Sequence, residues 1–96
     1  MPRGEMLTVF TYDIRSDRRR RRVAGLLEDA ATRVQDSVFE ARMTRARAEA
    51  LSQRIASELG EGDSLRVYVL AEYGEARSRV YGDGPPMEAD EAYWLF

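Results

Sequence analysis

The sequence predicts an α+β domain in which two helices cover one face of an antiparallel sheet. Apolar residues alternate in several short segments, as in strands, and recur every three or four residues in two segments between them, as in helices. The order is strand, helix, strand or strand pair, helix, strand, which is typical of a ferredoxin-like βαββαβ sandwich. A chain of 96 residues is long enough for one such two-layer domain.

The first strand is predicted over residues 7–14. Its side chains are mostly apolar on both sides of the strand, so we expect both faces of the sheet to be covered. Ser16 or Asp17 can cap the following helix, in which apolar residues recur at helical spacing from Val23 to Ala31.

The later elements follow from the same patterns. Residues 33–43 alternate as a second strand or a tight pair of short strands. Thr44 can cap a second helix, which Gly60 and Gly62 end. Residues 63–70 predict another strand, with its odd-numbered apolar residues toward the core.

The last part of the chain is less regular. We expect an extra short strand over residues 77–81, and the sheet of a partner subunit is one place where it could pair. Residues 1–84 are assigned to the domain and 85–96 to a C-terminal tail. The tail ends in Tyr-Trp-Leu-Phe after an acidic stretch, so it either docks on its own dimer or is presented to another protein.

Self-association is expected because the two helices cover only one face of the predicted sheet. The first strand is apolar on both sides, so its second side also needs a cover. A second copy of the chain is the simplest cover, and a small domain gains buried apolar surface from it. A two-fold axis at this face would bring equivalent residues of the two subunits together. The sequence therefore predicts a homodimer.

Composition excludes several kinds of chemistry. The chain has no cysteine and no histidine, so disulfides, thiol nucleophiles, imidazole bases and the usual zinc sites are excluded. Any reaction must use carboxylates, hydroxyls, arginines or a hard cation such as Mg²⁺. No signal peptide and no apolar run of membrane-spanning length is evident, so we expect a cytoplasmic protein without a membrane partner.

The charge of the chain is unevenly distributed. The formal net charge is −2, but residues 1–54 carry twelve arginines and eight acids, whereas residues 55–96 carry three arginines and nine acids. The first half is therefore a candidate surface for an anion such as nucleic acid. The alternative is that the two halves attract each other across an ordinary solvated surface.

Asp13 ends the apolar first strand and is the candidate metal ligand. If its side of the strand faces a two-fold partner, two Asp13 carboxylates meet across the interface. Mg²⁺ commonly takes one or two carboxylates and completes its shell with water and substrate phosphate. The alternative is that Asp13 only forms a turn with Ser16 or Asp17.

Five consecutive arginines follow Asp13. The start of a helix carries a partial positive charge, so additional cations there are unfavourable and an anionic ligand is favourable. The donor groups of a guanidinium also fit the geometry of phosphate oxygens. The alternative is a solvated basic turn. Ser37 could position a phosphate or only hydrogen-bond locally, and the aromatic side chains of Tyr12 and Phe39 could stack on bases or fill the core.

Together these motifs resemble the CRISPR-associated protein 2 family. The resemblance rests on TYDI at the end of the first strand, the arginine-rich helix start, RVQDSVFEARM and DSLRVYVL, and extends over about residues 7–81. It implies a ferredoxin-like homodimer that assists CRISPR adaptation, in which the CRISPR-associated integrase (protein 1) captures foreign DNA. It also implies a Mg²⁺-dependent endonuclease acting on RNA or double-stranded DNA, since several members have this activity.

The resemblance also gives roles to particular residues. The family's metal-binding aspartate matches Asp13, with Tyr12 beside it as a second catalytic residue. The residues expected to bind nucleic acid, from the pattern and the resemblance together, are Arg18, Arg19, Arg20, Arg21, Arg22, Arg33, Ser37 and Phe39.

Two functions therefore remain open. The first is a dimeric Mg²⁺-dependent endonuclease that cleaves phosphodiester bonds and assists spacer acquisition. The second is a non-catalytic scaffold that binds DNA between integrase subunits, in which Asp13 has no role. A toxin-like ribonuclease of related fold is a third class, for which the sequence has no separate mark.

Overall fold

A computed structural model of the chain describes residues 4–87. The α+β class is confirmed, and the second predicted strand is a pair of strands joined by a turn at Asp36 and Ser37. The elements are β1 (Glu5–Asp13), α1 (Asp17–Glu28), β2 (Thr32–Gln35), β3 (Val38–Thr44), α2 (Arg45–Ala56), β4 (Ser64–Leu70) and α3 (Glu72–Ala76).

The four strands form one antiparallel sheet in the order β2-β3-β1-β4. β1 is central and pairs with β3 on one side and β4 on the other. In this register Phe10 lies opposite Phe39 of β3 and Val67 of β4, so these side chains share a face of the sheet. The α1 residue Val23 and the α2 residue Ile55 pack in the same core, which places both helices on this face.

The helix starts agree with the predicted caps. The Ser16 hydroxyl accepts a hydrogen bond from the amide of Arg19 at 3.3 Å. The Thr44 hydroxyl accepts one from the amide of Arg47 at 3.2 Å. Each bond satisfies an amide that the first helical turn leaves free, and such a cap typically contributes about 1 kcal/mol.

Large apolar side chains fill the space between the helices and the sheet. Phe10, Phe39 and Leu27 are completely buried. On β4, Val67 packs against this core as expected, but Val69 is 48% exposed. Val69 lies on the helix side of the sheet, as expected, but stays half exposed because it lines a groove of about 550 Å³ between the end of β4 and α2.

The second face of the sheet is covered at one end only. Leu7 is fully buried there, and its neighbour across the ladder, Arg42, forms an ion pair with Glu75 of α3. Towards the other end, Val9 and Thr11 are partly exposed. We call this end the open face, and it consists of Val9, Thr11 and Asp13 of β1 with Arg66 and Tyr68 of β4.

The predicted extra strand over residues 77–81 is not formed in the single chain. α3 follows β4 directly, and residues 77–81 pair with neither edge of the sheet, so Val80 and Tyr81 stay 44% and 88% exposed. A strand needs an open backbone edge within reach, and alternation in the sequence alone does not supply one.

The aromatic end of the predicted tail, residues 93–96, lies outside the described residues. Between residues 4 and 87 there is no helix with both the length and the apolar character that crossing a membrane requires.

Candidate metal and nucleic-acid site

Asp13 is the last residue of β1, and its side chain belongs to the open face. Side chains alternate along a strand, so Asp13 points away from the helices while its neighbour Tyr12 points towards them. Asp13 is exposed and pairs in register with Ser64 at the start of β4. A carboxylate held by a central strand and open to solvent is suited to a metal or a substrate.

The donor at this position fits Mg²⁺ in type. Carboxylate oxygen is a ligand that Mg²⁺ prefers, and Asp13 supplies it in an accessible position. Within residues 4–87, however, no group of three or more acidic side chains is close enough to hold a metal ion. In this part of the chain Asp13 is therefore not in a ready-made group of three acidic ligands, and Mg²⁺ would bind through this carboxylate, with water and substrate phosphate completing its shell.

Tyr12 lies on the other side of the same strand end. Its ring is only 5% exposed, and its hydroxyl donates a hydrogen bond to the carbonyl of Asp36 at 3.3 Å. Burial raises the pKa of Tyr12, and the nearby cations Arg33 and Arg20 oppose this effect only in part. The hydroxyl is therefore protonated at neutral pH and acts as a hydrogen-bond donor, not as a base.

A pocket of about 260 Å³ lies above Tyr12, between α1 and the β2–β3 turn. We call it the basic pocket. Because Tyr12 and Asp13 point to opposite sides, this pocket and Asp13 lie on opposite faces of the sheet at the same end. Its lining residues are Tyr12, Arg20, Arg21, Ala24, Arg33 and Asp36.

The five consecutive arginines divide into two groups. Arg19 binds Asp63 at 2.8 Å, and Arg22 binds Glu58 at 3.0 Å. Arg20 donates a hydrogen bond to the carbonyl of Ile14 at 2.8 Å and also pairs with Asp17. These bonds use three of the five cations inside the protein. Among the residues that the structure describes, Arg18 and Arg21 make no such bond, and both are exposed.

Arg33 is fixed in position next to the basic pocket. Its guanidinium donates to the carbonyl of Asp36 and to the carboxylate of Glu28, both at 2.9 Å. The same group lies 4.9 Å above the centre of the Phe39 ring, which is a favourable cation–π geometry. The ring of Phe39 is completely buried, so it offers no exposed face on which a base could stack.

Ser37 lies in the β2–β3 turn and is partly exposed. Its backbone carbonyl accepts a hydrogen bond from the amide of Tyr12 at 3.1 Å. The turn is thus attached to the end of β1, which brings Ser37 to the same end of the sheet as Tyr12.

Asp63 is the residue of this region that the sequence pattern did not single out. Its carboxylate is inaccessible to solvent and accepts hydrogen bonds from the Arg15 amide at 3.0 Å, the Arg19 Nε at 2.8 Å and the Gly60 amide at 2.8 Å. The bond from Arg19 and then those from the two amides lower its pKa to about 2. The pattern Gly-Glu-Gly-Asp at residues 60–63 could have indicated a tight turn with a side-chain acceptor.

The two glycines of this loop make room for arginines. A Cβ atom on Gly60 would lie 2.5 Å from the Arg19 Cζ, and one on Gly62 would lie 2.9 Å from the Arg15 Nε. Gly62 also has a φ of +82°, a backbone conformation that favours glycine. The loop thus packs against two guanidinium groups that follow Asp13 in the chain.

Comparison with known proteins agrees with this architecture. The family described as CRISPR associated protein Cas2 matches residues 6–77. A CRISPR-associated endoribonuclease Cas2 of Chloroflexus aurantiacus is 36% identical over 94 residues, covering 94% of this chain and 99% of the relative.

Two solved structures are also similar. A hypothetical protein of Thermus thermophilus superposes with a TM-score of 0.76 at 38% identity, over 88% of this chain and all of that one. A chain of a partial Cas6-RT-Cas1–Cas2 complex superposes with a TM-score of 0.67 at 28% identity, over 78% of this chain and 83% of that one. With the family match and the high identity over nearly the whole length, the chain belongs to the CRISPR-associated protein 2 (Cas2) family.

Proposed function

We propose that this protein is a CRISPR adaptation protein that acts in the cytoplasm as a homodimeric, Mg²⁺-dependent endonuclease on RNA or double-stranded DNA. In this role it assists the CRISPR integrase, CRISPR-associated protein 1, in spacer acquisition. The relative from Chloroflexus is named an endoribonuclease, and a similar chain comes from a complex that contains Cas1. Both names support a role in nucleic-acid processing during CRISPR adaptation.

The observation that carries the nuclease proposal is the position of Asp13. It is exposed at the end of a central strand, on the open face, and the arginines of the basic pocket lie at the same end of the sheet on its opposite face. A carboxylate that can bind a metal, with arginines round the end of the sheet, is suited to a phosphodiester, which carries one negative charge per phosphate.

The dimer proposal follows from the open face. The strand order β2-β3-β1-β4 fits a ferredoxin-like sheet, and the partly exposed Val9 and the 47% exposed Tyr68 lie side by side on the face opposite α1 and α2. Packing two such faces about a two-fold axis would cover them. It would also bring the two Asp13 carboxylates together, so that each subunit supplies one ligand to the metal.

Asp13 from each subunit would hold the Mg²⁺. The ion would polarise a phosphodiester and lower the pKa of a bound water, which is the chemistry that a protein without histidine needs from its metal.

The chain's own residues would bind and orient the substrate. Arg18 and Arg21 are exposed and make no ion pair among the described residues, so their guanidinium groups are available for phosphates. Arg33 provides a cation in the basic pocket, and the Tyr12 hydroxyl, whose proton is donated to the Asp36 carbonyl, fixes the turn that borders this pocket. Ser37 lies at the same end of the sheet. A nucleic acid that contacts both the pocket and Asp13 has to pass round the end of the sheet.

The decisive experiment measures cleavage of RNA and of duplex DNA with Mg²⁺, with a chelator, and with the variant Asp13→Asn. We expect cleavage to depend on Mg²⁺ and to fall by at least about 100-fold in Asp13→Asn, because the amide is a far poorer ligand for the metal than the carboxylate.

The matched control is Asp29→Asn, which removes the same charge from an exposed position at the end of α1. It is expected to cleave like wild type. Undiminished cleavage by Asp13→Asn would remove Asp13 from the mechanism and with it the nuclease proposal in this form.

A scaffold that binds DNA between integrase subunits is the second candidate function. It is favoured by the similarity to a chain of a Cas1–Cas2 complex and by exposed arginines that would bind phosphate without using Asp13. Tight, salt-dependent duplex binding by a wild-type protein that cleaves nothing with any divalent metal would favour this function over the first.

A further inference from the structure

We propose that Asp63 is a positioning residue for the Asp13 end of β1, and that its three hydrogen bonds hold the Asp13 carboxylate where a metal can bind. This inference rests on the proposed function of Asp13. Asp63 itself touches neither metal nor substrate, because its carboxylate is inaccessible to solvent.

The first step of the argument is the path of the backbone. Asp13 itself belongs to the ladder between β1 and β4, in which it lies opposite Ser64. Two residues later the Arg15 amide donates to the Asp63 carboxylate at 3.0 Å. Asp63 and Ser64 are neighbours, so the turn that leaves Asp13 is fastened to the start of β4 at two successive points.

The second step concerns the helix that follows. The other oxygen of Asp63 accepts from the Arg19 Nε and from the Gly60 amide, each at 2.8 Å. One carboxylate therefore joins the turn after β1, the first turn of α1 and the loop before β4. Without it, nothing else in residues 4–87 is seen to bind the Arg15 amide.

The third step is the charge of the side chain. The pKa of Asp63 is lowered to about 2, so the carboxylate is ionised at neutral pH and can accept all three hydrogen bonds. Arg19 is correspondingly withdrawn from the set of arginines that can bind phosphate.

The experiment compares Asp63→Asn with Glu61→Gln. Asparagine keeps the size of the side chain but has one acceptor oxygen instead of two. Glu61 is exposed in the same loop and makes no side-chain bond among the described residues, so Glu61→Gln removes the same charge without touching the contacts. For each protein we would measure the Mg²⁺ concentration that half-saturates cleavage, the affinity for a nucleic acid in chelator, and amide hydrogen exchange.

In Asp63→Asn we expect the half-saturating Mg²⁺ concentration to rise roughly tenfold, which is typical when a residue that orients a ligand is changed. The affinity for nucleic acid in chelator should stay within about twofold, because Asp63 makes no contact with the ligand. The Arg15 and Gly60 amides should be protected in wild type and in Glu61→Gln and should lose at least about tenfold protection in Asp63→Asn.

The outcomes separate this inference from the proposed function. If Asp13→Asn cleaves like wild type, the proposed function fails and Asp63 has nothing to position. If Asp13 is required but Asp63→Asn keeps the wild-type Mg²⁺ dependence, the inference alone fails. Should Asp63→Asn not fold, Asp63→Ser replaces it, and rapid exchange of the Arg15 amide in wild type overturns the inference without any variant.

Discussion

Single arginines of the run after Asp13 have different partners although their sequence context is nearly identical. Arg19 and Arg22 form ion pairs with carboxylates of the segment between α2 and β4. Arg18 and Arg21 are exposed and form no ion pair within the described residues. Five successive residues point all round a helix, so each meets a different environment. A contribution to nucleic-acid binding is therefore expected from particular arginines and not from the run as a whole.

Exchanging both Arg18 and Arg21 for glutamine should weaken binding to any nucleic acid and lower the salt slope of log Kd by about two, since each lost phosphate contact lowers it by about 0.9 for duplex DNA. The measurement is duplex affinity from about 50 to 200 mM salt.

The matched control is the pair Arg19→Gln and Arg22→Gln, which removes the same charge. Its salt slope should change by less than half as much, because these side chains are already bound within the protein. Equal slopes for the two pairs would show that ion pairing does not decide which arginines bind phosphate.

The sequence could predict Asp13 but not the role of Asp63. Asp13 follows an alternating apolar row, so its place at a strand end was evident from the pattern. Asp63 acts through partners 44 and 48 residues earlier, and no local pattern contains that information. Phe39 was ambiguous for the same reason: its complete burial and its place beneath Arg33 depend on packing of distant segments.

At the level of elements, propensity and capping were sufficient where the contacts are local. The two helices begin next to Ser16 and Thr44, as the cap residues predict, and the strands alternate as expected. Residues 77–81 form no strand within the single chain, because a strand exists only when another edge pairs with it, and pairing with the sheet of a partner subunit stays a prediction. The bounds of β2 and β3 required the turn at residues 36–37, which the alternating pattern alone left undecided.

The loop before β4 joins α1 to the sheet, and its contribution to stability should depend on pH. The pKa of Asp63 is about 2 in the folded protein and has an ordinary value of 3.8. A lowered pKa stabilises the fold fully above the ordinary value, and this stabilisation is lost as the pH falls from about 4 to about 2. The Tm of wild type should therefore fall more steeply across this interval than the Tm of Asp63→Asn.

Thermal unfolding followed by circular dichroism at several pH values between 2 and 6 checks this expectation. Glu61→Gln leaves the bonds of Asp63 intact and should keep the wild-type pH dependence. A slope in Asp63→Asn as steep as that in wild type would mean that other carboxylates account for the acid sensitivity.

For the whole molecule, the α+β class, the order of elements and the membership of the Cas2 family agree with what the sequence predicts. The homodimer stays a prediction. One face of the sheet is covered only by α3, at the Leu7 end, and the apolar character of β1 on both sides pointed to this incomplete cover. The contact that would cover the rest of this face involves two chains. The pattern of one chain indicates that such a contact exists, but it does not determine its geometry.

If two open faces pack together, the variant Tyr68→Glu should shift the protein towards monomer, raising the dimer dissociation constant at least about tenfold, because a charge replaces an aromatic side chain at a buried interface. Sedimentation velocity over a range of concentrations measures this. The control Gln53→Glu adds the same charge at an exposed position of α2, on the opposite face of the sheet, and should leave association unchanged. A wild-type protein that is monomeric at tens of micromolar would contradict the dimer.

The alternation of Tyr12 and Asp13 at the end of β1 makes the number of residues in this strand as constraining as their identity. If one residue between Glu5 and Phe10 were deleted and the pairing of the preceding residues preserved, all later side chains of β1 would move to the opposite face of the sheet. The carboxylate of Asp13 would then point into the apolar core, and the phenol of Tyr12 would point to solvent. Insertions and deletions should consequently be rarer in this segment than substitutions that keep its polarity, whichever of the two functions the protein performs.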